Sequence, residues 1–90
     1  MTMIRRRVVV RGHVQGVFFR ETMRRHAAAD DVAGWVRNQP DGTVEAVFQG
    51  ERGGVERLVA FARAGPRGAR VDWVDVVSEE PEALEGFEIR

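Results

Sequence analysis

The first place in these 90 residues where chemistry could happen is an arginine that follows a glycine-bearing break. In Val10-Arg11-Gly12-His13-Val14-Gln15-Gly16-Val17-Phe18-Phe19-Arg20, a strand-like run of valines gives way at two glycines and runs into a helix that opens with Arg20. Such a turn leaves backbone N–H groups unpaired at a helix N-terminus, with the positive end of the helix dipole behind them. The stretch Gln15, Gly16, Val17, Phe18 and Phe19 is therefore expected to cradle an anion with its backbone, with Arg20 at the lip. The planar fork of Arg20 can take two oxygens of a phosphoryl group at once, which a lysine cannot. Taken alone, an arginine in a first helical turn is ordinarily a solvated side chain. The glycines also lack the Gly-Lys-Ser/Thr ending of a nucleotide P-loop, so nucleotide binding is not supported.

Other chemistry has less to work with. The chain has no cysteine, which removes disulfides, thiolate nucleophiles and cysteine-ligated metals. His13 and His26 are too few and too unpartnered for a metal site, and the role of His26 is open. Asp30-Asp31 and Glu79-Glu80 read as solvated loops rather than a carboxylate dyad, because nothing suggests the burial that would raise a pKa. Asn38, just before Gln39-Pro40-Asp41-Gly42, is by itself plain turn chemistry. Trp35 and Trp73 are simplest as core or sheet-face packing.

The length suits one domain over residues 1–90, with two packed layers. The formal charge is zero, yet residues 1–45 carry 8 arginines against 5 carboxylates and residues 46–90 carry 6 against 9. The cradle lies in the basic half, and so small an excess favours a small acidic ligand over a nucleic-acid backbone. No leader-like apolar segment and no run of about 20 apolar residues is present, so a cytoplasmic protein is expected.

The elements that must hold the cradle follow from periodicity. Ile4 to Val10 alternates as a strand, with Arg5-Arg6-Arg7 as its solvated entry. Phe19, Met23 and Ala27 fall at helical spacing over Phe19–Ala29. Gly34 to Asn38 reads as a second strand, and the Pro-Asp-Gly turn returns it as a hairpin with Thr43 to Gln49. Val55, Leu58, Val59 and Ala62 mark a second helix stopped by Gly65-Pro66. Ala69 to Val77 is a strand whose pattern breaks, as at a bulge. Gly86 to Arg90 can add an edge strand. The order βαββαβ, with its tail strand, is an α+β, ferredoxin-like split βαβ sandwich: an antiparallel sheet with two helices on one face. Asp31 and Gly54 are local weak points in the two helices.

These residues resemble the acylphosphatase family. Val10-x-Gly12-x-Val14-Gln15-Gly16-Val17-x-Phe19-Arg20 is similar to the family's first signature, and Gly34-Trp35-Val36-Arg37-Asn38-x-x-x-Gly42-x-Val44, on to Gly50, is similar to its second. Gly65-Pro66 through Ala69 and Val71 is similar as well. The resemblance implies hydrolysis of the carboxyl–phosphate bond of small acyl phosphates without metal or cofactor. It places Arg20 on the phosphate-binding arginine, Asn38 on the asparagine that holds the attacking water, and Gln15 to Phe19 on the backbone cradle. Chemically this is consistent: phosphoryl transfer asks for positioning and charge stabilisation, and a carboxylate of pKa about 4 leaves without a general acid. The expected partners are a small acyl phosphate and inorganic phosphate as product and inhibitor, acting on a monomer, with no nucleic acid and no membrane. The chain departs from the family pattern where helix one ends, since Asp31 stands at a position that resembles a glycine needing left-handed backbone. Two other readings compete. One is a non-catalytic anion- or acyl-phosphate-binding module of the same fold. The other is a ferredoxin-like RNA-binding domain, although an RNA-binding signature is lacking.

Overall fold

A computed structural model describes residues 2–90. The chain runs β1 (Met3–His13), α1 (Phe19–Ala29), β2 (Ala33–Asn38), β3 (Val44–Glu51), α2 (Arg52–Ala64), β4 (Arg70–Glu79) and β5 (Phe87–Ile89). The strands form one sheet in the order β4-β1-β3-β2-β5. Pairing is antiparallel from β4 to β2, whereas β5 lies parallel to β2. The sheet is thus mostly antiparallel: the tail approaches β2 from the far side and joins it in the same direction. The α+β sandwich with both helices on one face stands otherwise as the periodicity predicts. Helix α2 packs on β1, β3 and β4, and α1 on β2 and β5.

Two periodicities meet in the core. Val8 and Val10 of β1, Val44, Ala46 and Phe48 of β3, and Val36 of β2 turn the period-2 face toward the helices. Phe19, Met23 and Ala27 of α1 and Val55, Leu58 and Ala62 of α2 answer with the 3.6-residue stripe. Phe19 and Phe61 meet edge to face at 5.6 Å and tie the helices together.

The opposite face of the sheet corrects the sequence reading. The Arg5-Arg6-Arg7 run is not a solvated entry. Arg5 is only 5 % exposed and donates to Glu79 at 2.9 Å, while Arg7 donates to Glu79 at 2.7 Å and to Glu45 at 2.8 Å. Glu79 is accordingly the end of β4 rather than part of an acidic loop. Buried Gln49 donates to the Glu82 carbonyl and accepts from the Glu82 N–H, which fastens residues 80–86 across the sheet. Trp35 is 7 % exposed because the guanidiniums of Arg90, Arg37 and Arg7 lie 4.8, 5.3 and 5.5 Å from its ring centre. Trp73, by contrast, is 62 % exposed, its indole N–H donating to Asp75.

The break in β4 is a bulge. Arg11 pairs with Trp73 and Gly12 with Val71, so Asp72 has no partner and the alternation reverses there. Val71 therefore joins Val74 and Val76 toward the core instead of sharing a face with Trp73. A Cβ on Gly12 would stand 2.0 Å from the Arg70 carbonyl oxygen, so only glycine lets the strands approach at the bulge.

Candidate active site

The cradle hangs between two anchors. Val14 and Phe19 are 1 % and 2 % exposed in the core, and the four residues between them must bridge strand and helix in one tight loop. Two of them do so in left-handed backbone: Gly16 at φ 75° and Phe18 at φ 60°, ψ 23°. Gly16 takes this at no steric cost, whereas Phe18, with its ring 82 % exposed, does not. Phe18 stands at the N-cap, and no side chain among the described residues caps α1. The first intrahelical bond is from Thr22 N–H to the Phe18 carbonyl. The N–H groups of Phe19, Arg20 and Glu21 are thereby left without an intrahelical acceptor. That is the donor array an anion needs.

Asn38 reaches the same place from another strand, β2. As the last residue of β2, in alternation with Gly34 and Val36, it faces the helix layer and pairs with Val44. The turn beyond it closes through Gly42 N–H to the Gln39 carbonyl at 3.0 Å, with the Thr43 N–H and hydroxyl both on the Asp41 carboxylate. Those bonds hold the Asp41 carboxyl below its usual range. The side-chain oxygen of Asn38, Oδ1, is buried and has no hydrogen-bond partner among the described residues. Arg20 and Asn38 line one cavity of about 260 Å³ together with Val14, Gly16, Phe18, Phe19, Glu21 and Ile89. Arg20 makes no ion pair among the described residues, so its fork is free for a ligand.

Of the residues singled out from sequence, Arg20, Asn38, Gly16, Phe18 and Phe19 converge on this cavity. Val17 does not line it; it turns to a neighbouring hollow with His26, Phe61 and Arg67. Gln15 contributes something the sequence did not reveal: its side-chain N–H groups donate to the Gln39 carbonyl at 2.8 Å and the Thr43 carbonyl at 2.9 Å. Ile89 and Glu21 were also missed. The alternation Phe87-x-Ile89 was the available signal for Ile89, which β5 delivers by pairing with β2 at Val36. Glu21 brings a carboxylate to the mouth, but Arg24 and then Arg25 hold it ionised, below the usual carboxylate range. The C-terminal residue turns elsewhere: the Arg90 N–H donates to the Val36 carbonyl and its guanidinium covers Trp35. His26 packs on Phe61, ring centres 4.6 Å apart. Among the described residues no group of three or more His, Asp or Glu is placed to hold a metal ion.

Comparisons with known proteins place the chain as a whole. The family profile described as Acylphosphatase matches residues 6–89. The chain is 55 % identical over 86 residues to an acylphosphatase of Rubrobacter xylanophilus, covering 93 % of this chain and 77 % of that one. It is 52 % identical over 89 residues to an acylphosphatase of Thermococcus kodakarensis, covering 99 % and 98 %. Among solved structures, an acylphosphatase from Coxiella burnetii superposes with a TM-score of 0.93 at 38 % identity, over 98 % of this chain and 93 % of that one.

Proposed function

Because the chain belongs to the acylphosphatase family and hydrolyses the carboxyl–phosphate bond of small acyl phosphates to carboxylate and inorganic phosphate, we propose that Arg20 and Asn38 are its two catalytic side chains and the backbone of Gln15, Gly16, Val17, Phe18 and Phe19 its phosphate cradle. The single observation that carries this assignment is the orphaned Oδ1 of Asn38, buried and unpaired in the cavity that also holds Arg20 and the uncapped start of α1. A buried acceptor without a protein donor is costly unless a water reaches it, and a water-holding role for Asn38 accounts for its place in this cavity.

The phosphoryl oxygens sit against the N–H groups at the start of α1 and the guanidinium of Arg20, which oppose the negative charge spread over the equatorial oxygens in the transition state. Asn38 Oδ1 accepts a hydrogen bond from a water and aims its lone pair at phosphorus. The amide orients; it takes no proton. As the water oxygen bonds to phosphorus, the bond from phosphorus to the acyl oxygen breaks and its electron pair leaves on the carboxylate. The water's proton passes to a phosphate oxygen or to solvent. A leaving group of pKa about 4 needs no acid to protonate it, so the site works with one cation, one amide and oriented backbone. The apolar wall of Val14, Phe18 and Ile89 faces the acyl portion.

The rest of the proposal is a monomer, one catalytic unit over residues 1–90, acting in the cytoplasm without metal or cofactor, its product phosphate competing with substrate. In support, the large exposed apolar residues among the described residues, Met3, Phe18, Trp73, Val77 and Ile89, are few, and no helix among them is long and apolar enough to cross a membrane.

The test is hydrolysis of benzoyl phosphate with chelator present, by wild type, Arg20→Gln and Asn38→Ala. Wild type turns over at an unchanged rate in chelator, phosphate inhibits competitively, and each variant loses about a hundredfold or more in kcat/KM while folded. An Asn38→Ala variant as fast as wild type refutes the assignment.

A further inference from the structure

We infer that the side chain of Gln15 is a positioning residue for hydrolysis: it sets the place of Asn38, and of the water Asn38 holds, relative to the phosphate cradle. The inference rests on the reading of Arg20 and Asn38 given above.

The two halves of the site stand on different parts of the fold. The cradle and Arg20 belong to the loop after β1 and the start of α1. Asn38 belongs to the end of β2, and between β1 and β2 in the sheet lies β3. Their relative placement is set by whatever joins the loop at residues 14–18 to the hairpin at residues 38–43. Among the described residues, the hydrogen bonds that do so come from one group, the amide nitrogen of Gln15. It donates one N–H to the Gln39 carbonyl, adjacent to Asn38, and the other to the Thr43 carbonyl, which also accepts the Gln39 N–H at 2.9 Å. Both donors are used, and both acceptors close the turn that carries Asn38. The clasp is half-buried, and it spans 24 and 28 residues of sequence. Few side chains fit this task. The group must reach past the loop, offer two N–H donors from one atom, and carry no positive charge that would compete with Arg20 for the phosphoryl group.

Loss of the clasp leaves phosphate binding in place, because Arg20 and the N–H groups of α1 are anchored through Phe19 in the core. What drifts is Asn38. A displacement of about an ångström at the nucleophile costs up to about a hundredfold in rate. The effect therefore falls on kcat, and much less on binding.

The experiment compares wild type, Asn38→Ala, Gln15→Met and Gln15→Glu on benzoyl phosphate. Both Gln15 variants keep the side chain's length while removing its donors. The expected result is a cooperative melt lowered by less than about 10 °C, kcat down by about tenfold to a hundredfold, and an inhibition constant for inorganic phosphate within about threefold of wild type in Gln15→Met. Three results overturn the inference: kcat within about twofold of wild type, a loss carried wholly by weaker phosphate binding, or loss of the cooperative melt in both variants, which would make Gln15 a brace of the fold. The outcomes separate the two readings. If Asn38→Ala is inactive and Gln15→Met is fully active, the clasp alone is refuted; if Asn38→Ala is fully active, the reading of the site falls first.

Discussion

Asn38 and Phe18 are the two residues at which the site works against the fold. Asn38 Oδ1 is buried with no donor among the described residues, so the fold gains from it no hydrogen bond that alanine would lose. Asn38→Ala is therefore expected to melt at or above the wild-type temperature while losing turnover, which calorimetry and the benzoyl phosphate assay measure on the same preparation. Phe18 adopts φ 60° with its ring 82 % exposed, so its side chain secures little burial in return for the strain. Phe18→Gly should raise stability by about 0.5–1 kcal/mol in denaturant titration. The same change removes the largest apolar surface at the mouth of the cavity, so KM for benzoyl phosphate should rise several-fold. A rise in both stability and KM is the signature to look for; a fall in stability is inconsistent with strain at this position.

At the scale of elements, the ends of the helices decide how the layers meet. Helix α1 ends with the Asp31 N–H on the Ala28 carbonyl and the Val32 N–H on the Ala27 carbonyl at 2.9 Å, with Asp31 in left-handed backbone at φ 55°. This closure favours glycine at the left-handed position, and a carboxylate there also meets the negative end of the helix dipole. Asp31 is exposed, so Asp31→Gly sacrifices no buried contact and should add about 0.5–1 kcal/mol. The mirror case is Gly54. By propensity, alanine inside α2 would gain about 1 kcal/mol. Here its Cβ would stand 3.0 Å from the Asp30 carbonyl oxygen and 3.1 Å from a Val32 methyl, so the backbone at the end of α1 would have to give by a few tenths of an ångström to admit it. Gly54→Ala is expected to melt below wild type, which removes Gly54 from the weak points and leaves Asp31.

For the whole molecule, stability in acid is tied to the outer face of the sheet. Hydrogen bonds from Arg7 first, and from Arg5, hold the Glu79 carboxyl below its ordinary value of 4.5. A carboxyl depressed in the folded state contributes fully above its unfolded pKa, and that contribution disappears as pH falls through the lower folded value. Thermal midpoints should therefore fall as pH drops from about 5 toward 3. Glu79→Gln should be less stable than wild type at neutral pH and should flatten that slope. Protonation of Glu79 leaves Arg5, 5 % exposed, with only the longer contact to Glu82 at 3.6 Å, and a fold tolerates poorly a buried charge that has lost its nearest partner.

The features read correctly from sequence were those written within a few neighbouring residues. Alternation in Val8-x-Val10, helical spacing of Phe19, Met23 and Ala27, the Pro-Asp-Gly turn and the glycine-bearing entry to α1 are local, because strand period, helix period and positive φ depend on near neighbours. Arg20 and the proposed cradle are written just as locally, and Asn38 entered through the signatures resembling the acylphosphatase family. What the sequence alone left unsettled lies in pairs far apart along the chain. Arg5 is buried because Glu79, 74 residues away, comes to lie beside it; a charge run looks solvated until its partners are placed. Ile89 walls the cavity because β5 joins the sheet parallel to β2, and Gln15 reaches the hairpin because β3 pairs with both β1 and β2. Burial of charge and convergence of a site depend on distances through space, and only the tertiary structure decides those.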